Sequence, residues 1–185
     1  MHVVTRPLQW ACHDVVCECE FEQLIELDGT GVHVTATLHN HRTDKYNEAA
    51  PHSQELPAVY TNGPWHRLVT YSGTAPWTNA PTTEIPMPGP QPPWNPGAFH
   101  AAENWAAMLD ENDWGLGVVN PAQTTFLGGF SGKPGSGGPH DPQTGYLAPT
   151  TQVALPHGVT YTFEFWLALG NLETIRSYAY QKTGH

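Results

Sequence analysis

The chain has 185 residues, of which 39% are hydrophobic, and its formal net charge is −10. Its 18 Gly and 18 Pro are too many for a helical protein, and its 20 aromatic residues (7 Trp, 7 Tyr, 6 Phe) are too many for a disordered one. With only seven Lys and Arg, nucleic acid and anionic membranes are not expected partners, whereas neutral carbohydrate is. The length predicts a single β-sandwich domain over residues 1–185.

The N-terminal third carries the strongest strand pattern. Residues 17–27 and 32–40 alternate between apolar and polar positions, and Asp-Gly-Thr-Gly at 28–31 separates them. This pattern predicts an antiparallel hairpin with one apolar and one polar face. The positions assigned to the first face are Phe21, Gln23, Ile25, Leu27, Val32, Val34, Ala36 and Leu38.

The rest of the chain is typical of short strands between long loops. Residues 74–99 carry eight prolines, so little regular structure is expected there. One helix is predicted at 171–181, with Asn171 as its N-cap. The sum is an all-β, antiparallel β-sandwich or open barrel with long loops and one short C-terminal helix. The further predicted strands are 55–61, 66–73, 104–109, 114–120, 124–130, 146–155 and 159–170, with the last two forming a hairpin.

Three stretches together resemble the large antiparallel sheets of galactose-mutarotase-like supersandwich domains: "FEQLIELDGTGVHVTATLHNHRTD", "QELPAVYT" and "YTFEFWLALGNLETIRSYAY". The first matches best, as a strand, a turn with Asp-Gly, and a strand that ends in Asn before a polar loop. This resemblance is one of pattern and covers about half of the chain. It implies carbohydrate recognition in a supersandwich-like fold, and the short length implies a truncated or minimal member.

Two glutamates are predicted as a catalytic pair. Glycoside hydrolysis needs two carboxylates about 5–5.5 Å or 6.5–9.5 Å apart, one of them with a raised pKa. Glu55 opens a predicted strand and Glu103 precedes another, so both are expected at one rim of the sandwich. By contrast, "DEND" at 110–113 joins two apolar strands and is typical of an exposed hairpin turn.

Aromatic and polar loop residues are the predicted sugar-binding groups. Tryptophans in Pro-rich loops are hard to bury and offer flat faces on which sugars stack. Histidines and an aspartate near the predicted rim would hold hydroxyl groups. The predicted substrate-binding residues are Trp65, Trp77, Trp94, His52, His100, His140 and Asp141.

His39 and His41, at i and i+2 on a predicted strand, would point the same way and suit a divalent metal. The cysteines Cys12, Cys17 and Cys19 lie close in sequence. Cys17 and Cys19 would be nearly 7 Å apart on an extended strand, which is poor geometry for a disulfide. Cys12 would be able to pair with either, and three thiols are the simpler expectation.

Three functions follow from these patterns. The first is a glycoside hydrolase that acts on a neutral polysaccharide or oligosaccharide through Glu55 and Glu103, with no cofactor. The second is a non-catalytic carbohydrate-binding domain, and the third is a cupin-like, metal-dependent β-barrel enzyme. The chain shows no signal peptide and no apolar run that would span a membrane. Secretion of a longer parent protein stays an alternative. The sequence predicts no particular oligomeric state or localisation.

Overall fold

The computed structural model describes residues 1–9, 12, 14–43, 50–87, 97–137 and 140–185. Its elements in chain order are β1 (His2–Thr5), β2 (Cys19–Asp28), β3 (Gly31–Asn40), β4 (His52–Glu55), β5 (Val59–Asn62), β6 (Arg67–Thr70), β7 (Thr83–Ile85), β8 (Gly97–His100), β9 (Trp105–Leu109), β10 (Trp114–Val119), β11 (Thr125–Ser131), β12 (Thr144–Val153), β13 (Thr160–Asn171) and α1 (Leu172–Thr183).

Two antiparallel sheets form the sandwich. The larger has eight strands in the order β1-β2-β3-β13-β10-β9-β6-β7, and the smaller has the order β4-β12-β11-β8, with β5 also paired to β12. The predicted all-β sandwich with one C-terminal helix is therefore confirmed. No helix in the described ranges has the length and apolar character needed to cross a membrane.

The larger sheet has apolar residues on both faces in its central strands. Met108 and Val118 point toward the smaller sheet, where they pack with Phe126 and Leu147. Because side chains alternate along a strand, Trp105 and its same-face neighbours point the other way. Helix α1 covers that outer face with Ile175, Tyr178 and Ala179. The layers are thus helix, larger sheet and smaller sheet.

The N-terminal hairpin forms as predicted. Phe21 pairs with Leu38 and Ile25 with Val34, so the predicted apolar positions share one face. Asn171 is the N-cap of α1, as predicted, and its side chain accepts a hydrogen bond from the Thr174 amide at 2.8 Å.

The predicted C-terminal hairpin is wrong. β12 belongs to the smaller sheet and β13 to the larger one, so the chain crosses between the sheets at residues 154–159. Both edges of β13 are already occupied, by β3 and β10, which leaves no edge for β12.

The predicted strand at 55–61 is interrupted. The structure has β4 and β5 on either side of residues 56–58, and the Leu56–Pro57 peptide bond is cis. Both strands pair with the same edge of β12. Pro57 has no amide hydrogen for a ladder, which accounts for the break.

The expectation of three thiols is also wrong. Cys17 and Cys19 form a disulfide, with their Cα atoms 5.1 Å apart, while Cys12 is free and exposed. β2 begins only at Cys19, so Cys17 is not held at the spacing of an extended strand. The shorter distance lies in the range that disulfides require.

Gly115→Ala is expected to lower the free energy of unfolding by about 1–3 kcal/mol, because the added methyl overpacks a closed site. A Cβ there would lie 2.0 Å from the Met108 carbonyl oxygen in the neighbouring strand. Gly97→Ala is the matched control, since its Cβ would meet no described residue within 4 Å. Urea unfolding of both variants measures the difference, and equal effects would contradict this packing.

Candidate functional site

A cleft of about 390 Å³ opens where β2 and β3 of the larger sheet face β4 of the smaller sheet. We call it the inter-sheet cleft. Both sheets supply its walls, and the two cysteines of the disulfide belong to the lining. The lining residues are Cys17, Cys19, Phe21, Leu38, Asn40, Arg42, His52, Gln54 and Leu155.

Strand alternation explains which side chains of β4 reach the cleft. β4 pairs with β12, and Gln54 lies opposite Thr151. Thr151 has the same parity as Leu147, which points into the core between the sheets. His52 and Gln54 therefore face inward, whereas Ser53 and Glu55 face away from the larger sheet.

The cleft combines polar side chains with an apolar surface. Among the described residues, the side chains of His52 and Gln54 make no hydrogen bond to the protein. Phe21 and Leu38 supply apolar surface on the facing wall. Amide and imidazole groups beside apolar carbon suit a ligand that presents hydroxyl groups on one face and C–H groups on another.

Asn40 stiffens the wall of the cleft. It is 6% exposed, and its Nδ2 donates to the Leu155 carbonyl at 2.6 Å and to the Pro156 carbonyl at 3.1 Å. Its Oδ1 accepts from the Arg42 amide at 3.1 Å. A single buried amide thus ties the end of β3 to both the 155–156 segment and residue 42.

Glu55 lies on the outer side of the smaller sheet. It is exposed and accepts a hydrogen bond from the Tyr146 hydroxyl. Burial, together with this carboxylate, raises the pKa of Tyr146. Tyr60 meets the Tyr146 ring edge-on at 5.0 Å between centroids and is 61% exposed.

His100 shares a row with Glu55 across the smaller sheet. Glu55 pairs with Thr150 and His100 pairs with Thr125, while the Thr150 hydroxyl donates to the Thr125 carbonyl at 3.2 Å. The two predicted site residues therefore lie on one outer face, at opposite edges of the sheet, and outside the inter-sheet cleft.

Glu103 is fully buried and accepts hydrogen bonds from four residues. Arg176 of α1 donates to it through Nε at 3.0 Å and Nη2 at 2.7 Å. The other donors are the Trp77 amide at 2.9 Å, the Trp105 indole at 3.0 Å and the Tyr180 hydroxyl at 2.8 Å. One carboxylate thus joins the 74–80 loop, the start of β9 and the helix.

These contacts set the charge of Glu103. Burial acts to raise its pKa, but the hydrogen bonds from Arg176, Trp105, Trp77 and Tyr180 hold the pKa below its ordinary value of 4.5. The carboxylate is therefore ionised at neutral pH. A general acid in glycoside hydrolysis needs the opposite shift.

The lowered pKa predicts how stability depends on pH. A carboxylate whose pKa is lower in the folded state stabilises the fold above its unfolded pKa and loses that contribution as pH falls through the folded value. We expect the difference in unfolding free energy between the wild type and Glu103→Gln to stay constant above about pH 5.5 and to narrow below about pH 4.5. Urea unfolding between pH 7 and 3 checks this, and a difference that grew on acidification would contradict it.

The structure brings the backbones of Glu55 and Glu103 to a shared rim. Asn120 links them, since its amide donates to the Asn104 carbonyl at 2.9 Å and its side chain to the Leu56 carbonyl at 3.5 Å. The carboxylates point to opposite outer sides of the sandwich, one toward Tyr146 and the other toward α1. This arrangement does not favour a shared reaction centre, and the catalytic pair stays a prediction.

The predicted tryptophans lie apart from the inter-sheet cleft where the structure describes them. Trp65 packs against the core between the sheets. Trp77 stacks on His185, with 4.1 Å between ring centroids, and meets Tyr180 edge-on at 5.2 Å. Trp94 falls outside the described residues. The role of these tryptophans as sugar platforms stays a prediction.

The other predicted polar residues lie partly inside and partly outside the inter-sheet cleft. His140 and Asp141 are exposed in the loop before β12 and do not line the cleft. Of the described residues predicted to bind substrate, His52 is the one in the cleft.

His39 and His41 lie near each other, with ring centroids 6.4 Å apart. His39 contacts the Thr160 hydroxyl at 3.2 Å and a Glu22 oxygen at 3.6 Å, on the polar face of β3. Within the described ranges, no three His, Cys, Asp or Glu side chains are grouped so as to hold a metal ion. The metal site stays a prediction.

The acidic stretch at 110–113 is the turn between β9 and β10, as predicted. Asp110 Oδ1 accepts from the amides of Asn112 at 2.8 Å and Trp114 at 3.0 Å. Asp113 has φ +59° and accepts from Arg67 at 2.7 Å. These carboxylates serve the turn and a surface ion pair.

Among the cleft residues that the sequence prediction missed are three with amide or guanidinium side chains: Asn40, Arg42 and Gln54. Gln54 has the i+2 spacing from His52 that places two polar side chains on one face of a strand. Asn40 ends the β3 pattern directly before a polar loop. Both patterns are present in the sequence. However, Gln54 belongs to β4 in the smaller sheet and Asn40 to β3 in the larger one, and the sequence does not show that these two strands face each other.

No family model matches the sequence, and no curated protein matches it. A solved structure from Escherichia coli K12 named "Putative aldose 1-epimerase" matches with a TM-score of 0.53 at 16% sequence identity. The match covers 92% of this chain and 65% of that chain, so this chain spans less than two thirds of its neighbour. At this identity the likeness shows the fold alone: the chain resembles a galactose-mutarotase-like sandwich in architecture.

Proposed function

We propose that this chain is a carbohydrate-binding domain that holds a neutral saccharide in the inter-sheet cleft. One observation carries the proposal: the side chains of His52 and Gln54 face the cleft and make no hydrogen bond among the described residues, opposite the apolar side chains of Phe21 and Leu38. The cleft volume of about 390 Å³ lies within the range of small-molecule sites, roughly 300–1,000 Å³.

Each lining group has a distinct role in this proposal. The Gln54 amide would accept and donate hydrogen bonds to neighbouring hydroxyl groups, and His52 would take one further hydroxyl. Phe21 and Leu38 would contact the C–H face of the sugar ring. The net charge of −10 disfavours polyanionic glycans, which supports a neutral ligand.

The fold supports the ligand class as well. The solved neighbour is named for chemistry on an aldose. Its fold is that of this chain, and we carry a sugar ligand over from it as part of the proposal.

Titration of the protein with a panel of neutral oligosaccharides, followed by calorimetry, tests binding. The panel includes one uronic acid oligomer as a matched charged ligand. We expect saturable heats with neutral members and weaker or absent heats with the charged one. The absence of binding to every member would overturn the proposal.

Hydrolysis of the bound glycan by Glu55 and Glu103 is the finer prediction. The exposed carboxylate of Glu55 supports it, whereas the buried, ionised Glu103 does not. Long incubation of oligosaccharides with the wild type, Glu55→Gln and Glu103→Gln, analysed by mass spectrometry, separates binding from turnover. We expect no product from any of the three. Product from the wild type that disappears in both folded variants would establish a hydrolase instead.

A further inference from the structure

Glu18 lies between the two cysteines of the disulfide and holds the segment that carries Arg42. The Glu18 carbonyl accepts from the His41 amide at 2.9 Å. Its carboxylate accepts from the Thr43 amide at 3.0 Å and from the Thr43 hydroxyl at 3.3 Å. Residues on both sides of Arg42 are therefore bound to this one glutamate.

Arg42 itself is fixed through its backbone. Its amide donates to Asn40 Oδ1 at 3.1 Å, and its carbonyl accepts from His157 Nδ1. Arg42 is one of the residues that line the inter-sheet cleft. The position of this lining residue therefore depends on Glu18 and Asn40.

The disulfide fixes Glu18 in turn. Cys19 is the first residue of β2, but Cys17 lies before the strand, where its amide donates to the Pro7 carbonyl at 2.7 Å. The bond between the two sulfurs closes a small covalent ring that includes the backbone of Glu18. Both cysteines also line the cleft, so the same bond forms part of the site.

We propose that Glu18 is a positioning residue for the saccharide cleft and that it acts only while the Cys17–Cys19 disulfide is closed. Saccharide affinity then depends on the oxidation state of this pair. The proposal rests on the proposed function for its ligand, but its structural part concerns residues 17–19 and 41–43 alone.

Reduction by tris(2-carboxyethyl)phosphine is the probe. The phosphine donates two electrons and the S–S bond breaks. The two sulfurs take up two protons from one water molecule, whose oxygen ends on the phosphine oxide. Neither Glu18 nor Arg42 is changed chemically, so any effect on them comes from the opened ring.

Amide hydrogen exchange measured by NMR reports on the segment directly. In the oxidised protein, the amides of His41 and Thr43 are expected to be protected, and reduction is expected to speed their exchange at least about tenfold. The Val118 amide, in the centre of the larger sheet, is the internal control and should not change. Cys12→Ser should respond to reduction as the wild type does, because Cys12 is not in the disulfide.

Glu18→Ala tests the contribution of the Glu18 carboxylate independently of the disulfide. With the disulfide intact, we expect faster exchange at Thr43, whose partner is the removed side chain, and unchanged exchange at His41, whose partner is the Glu18 carbonyl. Calorimetry on the same samples should show affinity for the saccharide reduced at least fivefold, both by reduction and by Glu18→Ala.

The two readouts distinguish the two proposals. Unchanged exchange at both amides on reduction would overturn the inference, whatever the saccharide result. Faster exchange with equal saccharide affinity in both redox states would overturn the linkage to the site. Faster exchange in a protein that binds no saccharide in either state would support the positioning of the segment and reject the proposed function.

Discussion

Arg176→Met is expected to lower the free energy of unfolding by about 3–5 kcal/mol, because it leaves the Glu103 carboxylate buried without its charged partner. Glu103 is fully buried, and the Arg176 side chain is 11% exposed. Urea unfolding monitored by tryptophan fluorescence measures the change, with the midpoint and slope compared to the wild type.

Arg67→Met is the matched control for Arg176→Met. Arg67 also contacts two carboxylates, Glu84 at 2.9 Å and Asp113 at 2.7 Å, but both are about half exposed. Surface ion pairs of this kind contribute about 0–1 kcal/mol. If Arg176→Met lowered the free energy of unfolding as little as Arg67→Met does, the contact with Glu103 would not be what anchors the helix.

The double variant His52→Ala/Gln54→Ala is expected to weaken saccharide binding at least about tenfold, because it removes two polar side chains of the cleft that are available to the ligand. Its fold should be intact, since neither side chain makes a hydrogen bond among the described residues. Calorimetric titration with the best-bound member of the neutral panel measures the affinity.

Ser53→Ala is the control for this double variant. Ser53 lies between the two residues on β4 but faces the outer side of the smaller sheet. The Ser53→Ala variant should bind the saccharide with the affinity of the wild type. Binding lost equally in Ser53→Ala would place the site on the outer face, in the row that contains Glu55 and His100.

The hairpin of β2 and β3 was predictable because its information is local. Alternation over residues 19–40 and a two-residue Gly-containing turn fix both the pairing and the face, as Phe21 opposite Leu38 shows. The cap at Asn171 is local for the same reason.

The pairing of β12 and β13 was not predictable from the sequence around them. Both segments alternate and a short Pro-His-Gly stretch joins them, which is typical of a hairpin. The true partners of β13 are β3, more than 120 residues earlier, and β10. Long-range pairings decide this part of the fold, and no local pattern reports them.

Glu103 illustrates the same limit for the candidate site. A glutamate beside Asn104 and Trp105 in a rim loop has the sequence features of a catalytic acid. Its partner Arg176 lies 73 residues away on α1, and this contact makes the carboxylate a buried anchor. His52 was predicted as a binding residue, whereas Phe21, Leu38 and Asn40, which line the same cleft, come from the other sheet.

The proposed saccharide site lies between the two sheets. NMR mapping of backbone amide shifts during a titration with the best-bound neutral oligosaccharide tests it most directly. We predict shift changes at Phe21, Asn40, Arg42 and Gln54, with none at Trp77 or Tyr180. Shift changes confined to the 74–80 loop, or to the outer face at Thr125 and Thr150, would show that the saccharide does not bind between the sheets.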